Sequence, residues 1–167
     1  MILAFDTYYR GNSAKTVAVA FEDWTDHEPV EIYHEFIEGV KEYEPGQFYK
    51  RELPCILSLL QKIDTGQLEA IVVDGYVVLD DTGKPGLGGH LYEKLEAQFP
   101  VIGVAKSNFA KLQKNKMEVC RGQSLNPLYI TSKGTALSKA ADNIRNMHGD
   151  YRMPTLLKIL DQETRKE

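Results

Sequence analysis

Four acidic side chains stand where regular structure should begin or end. Asp6 closes the apolar run 2–5 and Asp74 closes the apolar run 70–73, while Glu52 opens a helical stretch and Asp161 lies in a terminal one. Carboxylates at such places converge readily although they are far apart along the chain. A hard cation gives a chemical reason to converge them, since Mg²⁺ takes a few carboxylate oxygens and completes its octahedron with water and phosphate oxygens. Two such ions about 4 Å apart activate a water and stabilise the departing oxygen in phosphodiester hydrolysis. Like charges gathered this way repel, so the cluster should destabilise the fold without metal. Each residue also has an ordinary alternative: an Asp after a strand often caps a turn, and a Glu near a helix start complements its dipole. Asp74 is the strongest single candidate. The stretch Ile71, Val72, Val73, Asp74, Gly75 delivers a carboxylate at the end of a buried strand, beside a glycine that allows close backbone approach.

These residues need elements to hold them. Residues 2–5 and the β-branched run 16–21 flank a polar, Gly-containing turn and predict a hairpin, and residues 30–37 alternate as a third strand. The charged loop 39–46 ends in Pro-Gly. Helical period follows through Leu53, Ile56, Leu57, Leu60 and Ile63, with Pro54 placed early, where a missing N–H does least harm. Strand 70–73, helical positions at Leu91 and Leu95, and strand 101–105 then imply parallel crossovers. Residues 117–120 and 128–131 read as a strand pair, and 136–147 and 154–162 as helices. The expected class is α/β: a mixed central sheet, three antiparallel strands and then parallel ones, flanked by helices in ribonuclease H-like order.

With 167 residues, 43% hydrophobic and 26% charged, the chain has enough apolar material for one core, so a single domain over 1–167 is expected. No run approaches the roughly 18 apolar residues of a membrane helix, and Asp6 arrives too early for a secretory segment, so a cytoplasmic protein without membrane contact is expected. Cys55 and Cys120 lack His or Cys neighbours at zinc-ligand spacing, and both are expected to be reduced and buried. A net charge of −4 argues mildly against a broad electropositive surface, although a carboxylate metal site itself adds acidic residues. Basic residues cluster at 50–51, 106–116 and 145–152.

Several short segments together resemble the endonuclease V family, which cuts nucleic acid near inosine. They are Leu-Ala-Phe-Asp at 3–6, Tyr-Glu-Pro-Gly at 43–46, Arg-Glu-Leu-Pro at 51–54, Val-Val-Asp-Gly at 72–75, Gly-Val-Ala-Lys-Ser at 103–107, Pro-Leu-Tyr-Ile at 127–130 and Gly-Asp-Tyr-Arg-Met-Pro at 149–154. They occur in family order. The resemblance implies that Asp6, Glu52 and Asp74 ligate Mg²⁺, with Mn²⁺ as a substitute, that Lys106 faces the reacting phosphate, and that Asp161 takes the acidic or histidine position of the last helix. It further implies a wedge at Tyr43 and Pro45 and nucleic-acid contacts at Gly75, Gly103, Ser107 and His90. A wedge suits a displaced base, because extrusion costs a few kcal/mol and an apolar side chain fills the gap. Val77 stands where members carry a second glycine, and the following Leu79, Asp80, Asp81, Thr82 stretch lacks their histidine.

The implied activity is a metal-dependent endonuclease acting on DNA or RNA near inosine, expected to be monomeric. Two alternatives use the same residues: a catalytically impaired nucleic-acid-binding protein of this fold, and a ribonuclease H-like nuclease with another substrate. Asp80 and Asp81 offer a further acidic pair, read as a solvated turn.

Overall fold

The computed structural model describes all residues from 1 to 167 except Lys41, Tyr43, Gly46 and Phe48. Two long strands, β1 (Ile2–Arg10) and β2 (Ser13–Phe21), form a hairpin through the turn at Gly11, whose φ of +57° suits glycine. β3 (Glu31–Ile37) pairs antiparallel with β2. The chain then enters α1 (Tyr49–Leu60), β4 (Ala70–Asp74), α2 (Leu87–Lys94), β5 (Val101–Ala105), β6 (Met117–Val119), β7 (Leu128–Lys133), α3 (Leu137–Arg145) and α4 (Thr155–Arg165). One seven-stranded sheet results, in the order β3-β2-β1-β4-β5-β7-β6. β1, β4 and β5 run parallel to their neighbours among themselves, and the outer pairings are antiparallel. This is the expected mixed sheet of ribonuclease H-like type.

The sheet is covered on both faces. Strand alternation sends Ile2, Ala4, Val72, Val104 and Ile130 into a core beneath α3 and α4. Leu3, Phe5, Ile71 and Val73 enter a second core beneath α1 and α2. Because β1, β4 and β5 are enclosed on both sides, they read as continuous apolar runs rather than alternating ones. Each fully buried Leu, Ile or Phe contributes roughly 2 kcal/mol. α1 presents Leu53, Ile56, Leu59 and Leu60 to its core and leaves Pro54 on the outer side, so the proline sits inside the helix without breaking the packed stripe.

One expectation is corrected. Cys55 is buried, but Cys120 is exposed. Val119 and Arg121 on either side of it are buried, and the period-two alternation continuing out of the edge strand β6 turns Cys120 outward. Among the described residues no helix is long and apolar enough to cross a membrane.

Candidate active site

The last register pair between the parallel strands β1 and β4 is Phe5 with Val73. Asp6 and Asp74 follow immediately, so two carboxylates stand side by side where β4 ends; β1 itself runs on to Arg10, paired there with β2, so Asp6 does not close its strand as expected. Ile2 and Ala4, like Ala70 and Val72, belong to the core under α3 and α4. Alternation therefore aims Asp6 and Asp74 at that face. α4 lies across β1 and β2 there, and its Asp161 lines the same cavity. Lys106, the first residue beyond β5, completes the polar wall, over an apolar floor that includes Val104, Leu157 and Leu160.

The electrostatics are those of crowded negative charge. Asp6 has its pKa pushed up to about 7, first by burial and next by Asp74; the Thr7 N–H, donated to its Oδ1 at 2.9 Å, acts the other way, Asp161 adds to the rise and Lys106 opposes it. Asp74 is exposed to solvent at the strand end and lines the cavity from there. Burial is the main cause raising its pKa; Lys106 pulls it back and Asp161 adds to it. Asp161 is held by its own helix, with Arg165 Nε 3.3 Å from both carboxylate oxygens, and the Arg165 guanidinium lies 5.0 Å from the centre of the Tyr8 ring.

Glu52 arrives from the other side. α1 packs in the opposite core, and Glu52 in its first turn reaches around the strand ends. Burial drives its pKa well above the usual carboxylate range, Asp6 and Asp74 add to the rise, and Arg51 opposes it. The guanidinium carbon of Arg51 lies over Tyr9, 3.6 Å from the ring centre.

The remaining anticipated residues divide. Gly75 has a φ of +113° at the strand end, beside the carboxylates. Gly103 is buried beneath it: a Cβ there would fall 2.5 Å from the Gly75 carbonyl oxygen and 2.7 Å from Thr131 Oγ1. It thus supports the Asp74–Gly75 backbone from within. Ser107 is exposed and its carbonyl accepts the Tyr76 hydroxyl at 2.6 Å. His90 is half-buried in α2, stacked on Tyr49 of α1 with ring centres 3.7 Å apart, and does not line the carboxylate cavity. Pro45 is exposed in a turn, and Tyr43 lies outside the described residues. Asp80 and Asp81 are loop staples: Asp80 Oδ1 accepts Thr82 and Lys84 N–H groups, and Asp81 accepts those of Lys114 and Asn115.

Among the described residues no three His, Cys, Asp or Glu side chains stand together as a ready metal cage. The donor chemistry nevertheless fits an open hard-cation site. Mg²⁺ is commonly held through one or two carboxylates, with water and substrate phosphate as the other ligands, and Asp6 and Asp74 form such a pair with Lys106 as the nearby cation that offsets both.

Sequence reasoning did not anticipate the roles of Arg121 and Arg152. Buried Arg121 donates to the carbonyls of Met147, Gly149, Tyr151 and Arg152, and Arg152 donates to those of Lys106 and Pro127. Together they fasten the 147–152 loop and the end of β5 around the cavity. The Gly-Asp-Tyr-Arg-Met-Pro segment was the visible signal; its clamp, Arg121, carried none.

A family model described as Endonuclease V matches residues 1–148. No curated protein matches by sequence. Among solved structures, the chain is similar to Ciona intestinalis endonuclease V in complex with DNA containing an inosine followed by a ribo-adenosine, at 16% identity and a TM-score of 0.78, covering 98% of this chain and 84% of that one. Human endonuclease V is similar at 21% identity and a TM-score of 0.74, over 98% and 82% of the two chains. The Bacillus subtilis protein gives 17% and 0.71, over 98% and 77%. At these identities the likeness is one of fold.

Proposed function

The chain belongs to the endonuclease V family, and from that premise we propose that it is a divalent-metal-dependent endonuclease that hydrolyses a phosphodiester bond in DNA or RNA near inosine. The observation that carries this reading is the placing of Asp6 beside Asp74, each one residue past the last register pair of the parallel strands β1 and β4, in one cavity with Asp161 and Lys106. Asp6 and Asp74 would hold the cation, with Glu52 contributing from the α1 side. Bound there, Mg²⁺, or Mn²⁺ in its place, supplies Lewis-acid polarisation of the phosphate and eases deprotonation of the attacking water. Lys106 would place its ammonium against a non-bridging phosphate oxygen and offset the charge that grows as phosphorus gains its fifth oxygen. Asp161, steadied by Arg165, would orient the water. Its oxygen joins phosphorus, the P–O3′ bond breaks, and the products carry a 3′-hydroxyl and a 5′-phosphate.

The inosine preference draws support from the family and from the inosine-containing DNA held by the Ciona relative. A second reading, a nuclease of this fold with a different base preference, is favoured by Val77. Its side chain is fully buried, and a Cβ on Gly88 would fall 2.6 Å from its Cγ2, so this backbone offers no open approach at that point.

The test is incubation of the purified protein with labelled single- and double-stranded DNA and RNA, with and without inosine, in Mg²⁺, Mn²⁺ or EDTA. Metal-dependent cutting that Asp6→Asn and Asp74→Asn abolish supports the proposal. Binding without any cutting refutes it, and cutting indifferent to inosine moves the assignment to the second reading.

A further inference from the structure

A groove leads away from the carboxylate cavity between the end of β5 and α4, sharing Lys106 and Asp161 with it and continuing past Tyr151, Arg152 and Lys158. Its character differs from the chain as a whole. The protein carries a net charge of −4, yet of the seven residues that line the groove three are cationic and one is acidic. The groove therefore complements a polyanion locally despite the net negative charge of the chain.

Tyr151 is the unusual member. It is 73% exposed, although it sits on a loop fastened by several hydrogen bonds. The carbonyl of Tyr151 itself accepts from Arg121 Nη1 at 2.6 Å, and the same buried guanidinium binds three other carbonyls of the loop. The loop is also pressed against Gly122, where a Cβ would fall 2.1 Å from the Asp150 carbonyl oxygen. A large aromatic ring on a fastened loop, left open to water, is a preorganised stacking platform rather than a core residue. Lys158 lies one helical turn from Asp161 on α4, with its ammonium 5.7 Å from the Tyr151 ring centre. Arg152 spends its guanidinium on two backbone carbonyls, so Lys106 and Lys158 are the cations that face the groove.

We propose that this groove is the track for an unpaired stretch of nucleic-acid strand flanking the scissile phosphate: one base stacks on Tyr151, and phosphates on either side of it meet Lys106 and Lys158. An aromatic ring sharing one groove with two point charges matches the repeat of base and phosphate in a single strand. A duplex keeps its base faces stacked inside and would leave Tyr151 unused. The inference rests on the nuclease reading for the position of the scissile phosphate, and it adds the strand type and the residues that grip it.

The test is fluorescence anisotropy with the full chain in EDTA, which prevents turnover, using a labelled single-stranded oligonucleotide and a blunt duplex of the same sequence. Single strand should bind more tightly than duplex. Tyr151→Ala should weaken single-strand binding about tenfold, and Tyr151→Phe, which keeps the ring, should stay within about twofold. Lys158→Gln should reduce the slope of log affinity against log salt by about 0.7. Duplex binding that equals or exceeds single-strand binding, or a Tyr151→Ala variant indistinguishable from wild type, overturns the proposal. The cleavage assay separates the two readings. Tyr151-dependent binding with no cutting under any metal defeats the nuclease and leaves the track, whereas cutting with Tyr151-independent binding defeats the track and leaves the nuclease.

Discussion

Asp6 and Asp74 stand on neighbouring parallel strands one residue past the Phe5–Val73 pair, on the same face of the sheet. The fold thereby holds two negative charges together that it would be easier to keep apart. Burial raises both pKa values, with Asp74 adding to the rise at Asp6 and Asp161 to the rise at Asp74, an electrostatic strain that a bound cation would relieve.

Neutralising either member should separate stability from function. Asp74→Asn keeps the shape and removes one repelling charge, so in EDTA its melting temperature should equal or exceed that of the wild type. Its cleavage rate in Mg²⁺ should fall at least about a hundredfold. Scanning calorimetry beside initial-rate cleavage checks both. A variant that melts lower in EDTA would show that the carboxylate has a supporting role in the fold instead.

The raised pKa of Asp6 sets a pH dependence whose sign is opposite to that of an ion-paired carboxylate. Its ordinary value is 3.8 and its folded value is about 7. Between these the folded state binds more protons than the unfolded one, so stability falls as pH rises through that window and the contribution is fully present only below the lower value. Urea unfolding in EDTA should give a lower midpoint at about pH 8 than at about pH 5. Mg²⁺ competes with the same proton, so its protection against urea should strengthen over the same rise. A metal-free midpoint that climbs with pH would contradict the buried-charge picture.

Gly103→Ala places a methyl group 2.5 Å from the Gly75 carbonyl oxygen. Overpacking of this kind costs roughly 1–3 kcal/mol, and the strain falls on the residue adjoining Asp74. Cleavage should therefore drop by more than the loss of folded protein accounts for. Melting and rate, measured on the same preparation, distinguish a displaced carboxylate from simple unfolding.

The two thiols should react on different timescales. Cys120 is exposed, while Cys55 is buried, and burial is the first cause raising its pKa. A colorimetric thiol reagent should titrate one cysteine rapidly in the native protein and the second only in denaturant. Cys120→Ser should remove the fast phase and leave the slow one.

Much of the fold was legible because it is written in consecutive residues. The apolar runs ending at Asp6 and Asp74 declare buried strands, and the 3.6-residue period through Leu53, Ile56 and Leu60 declares α1. Two carboxylate candidates follow from the ends of those apolar runs, although β1 continues past Asp6 to Arg10, and the motifs supplied the family. Register and docking between distant segments belong to the tertiary structure. Only the Phe5–Val73 pairing sets Asp6 beside Asp74, and only the packing of α1 and α4 on opposite faces brings Glu52 and Asp161 to the strand ends from two sides. The same holds for Arg121, whose four carbonyl partners lie 26–31 residues away and which fastens the loop that displays Tyr151. Local periodicity fixes which way a side chain points from its own strand or helix. What it then meets depends on chain segments whose approach the whole core decides.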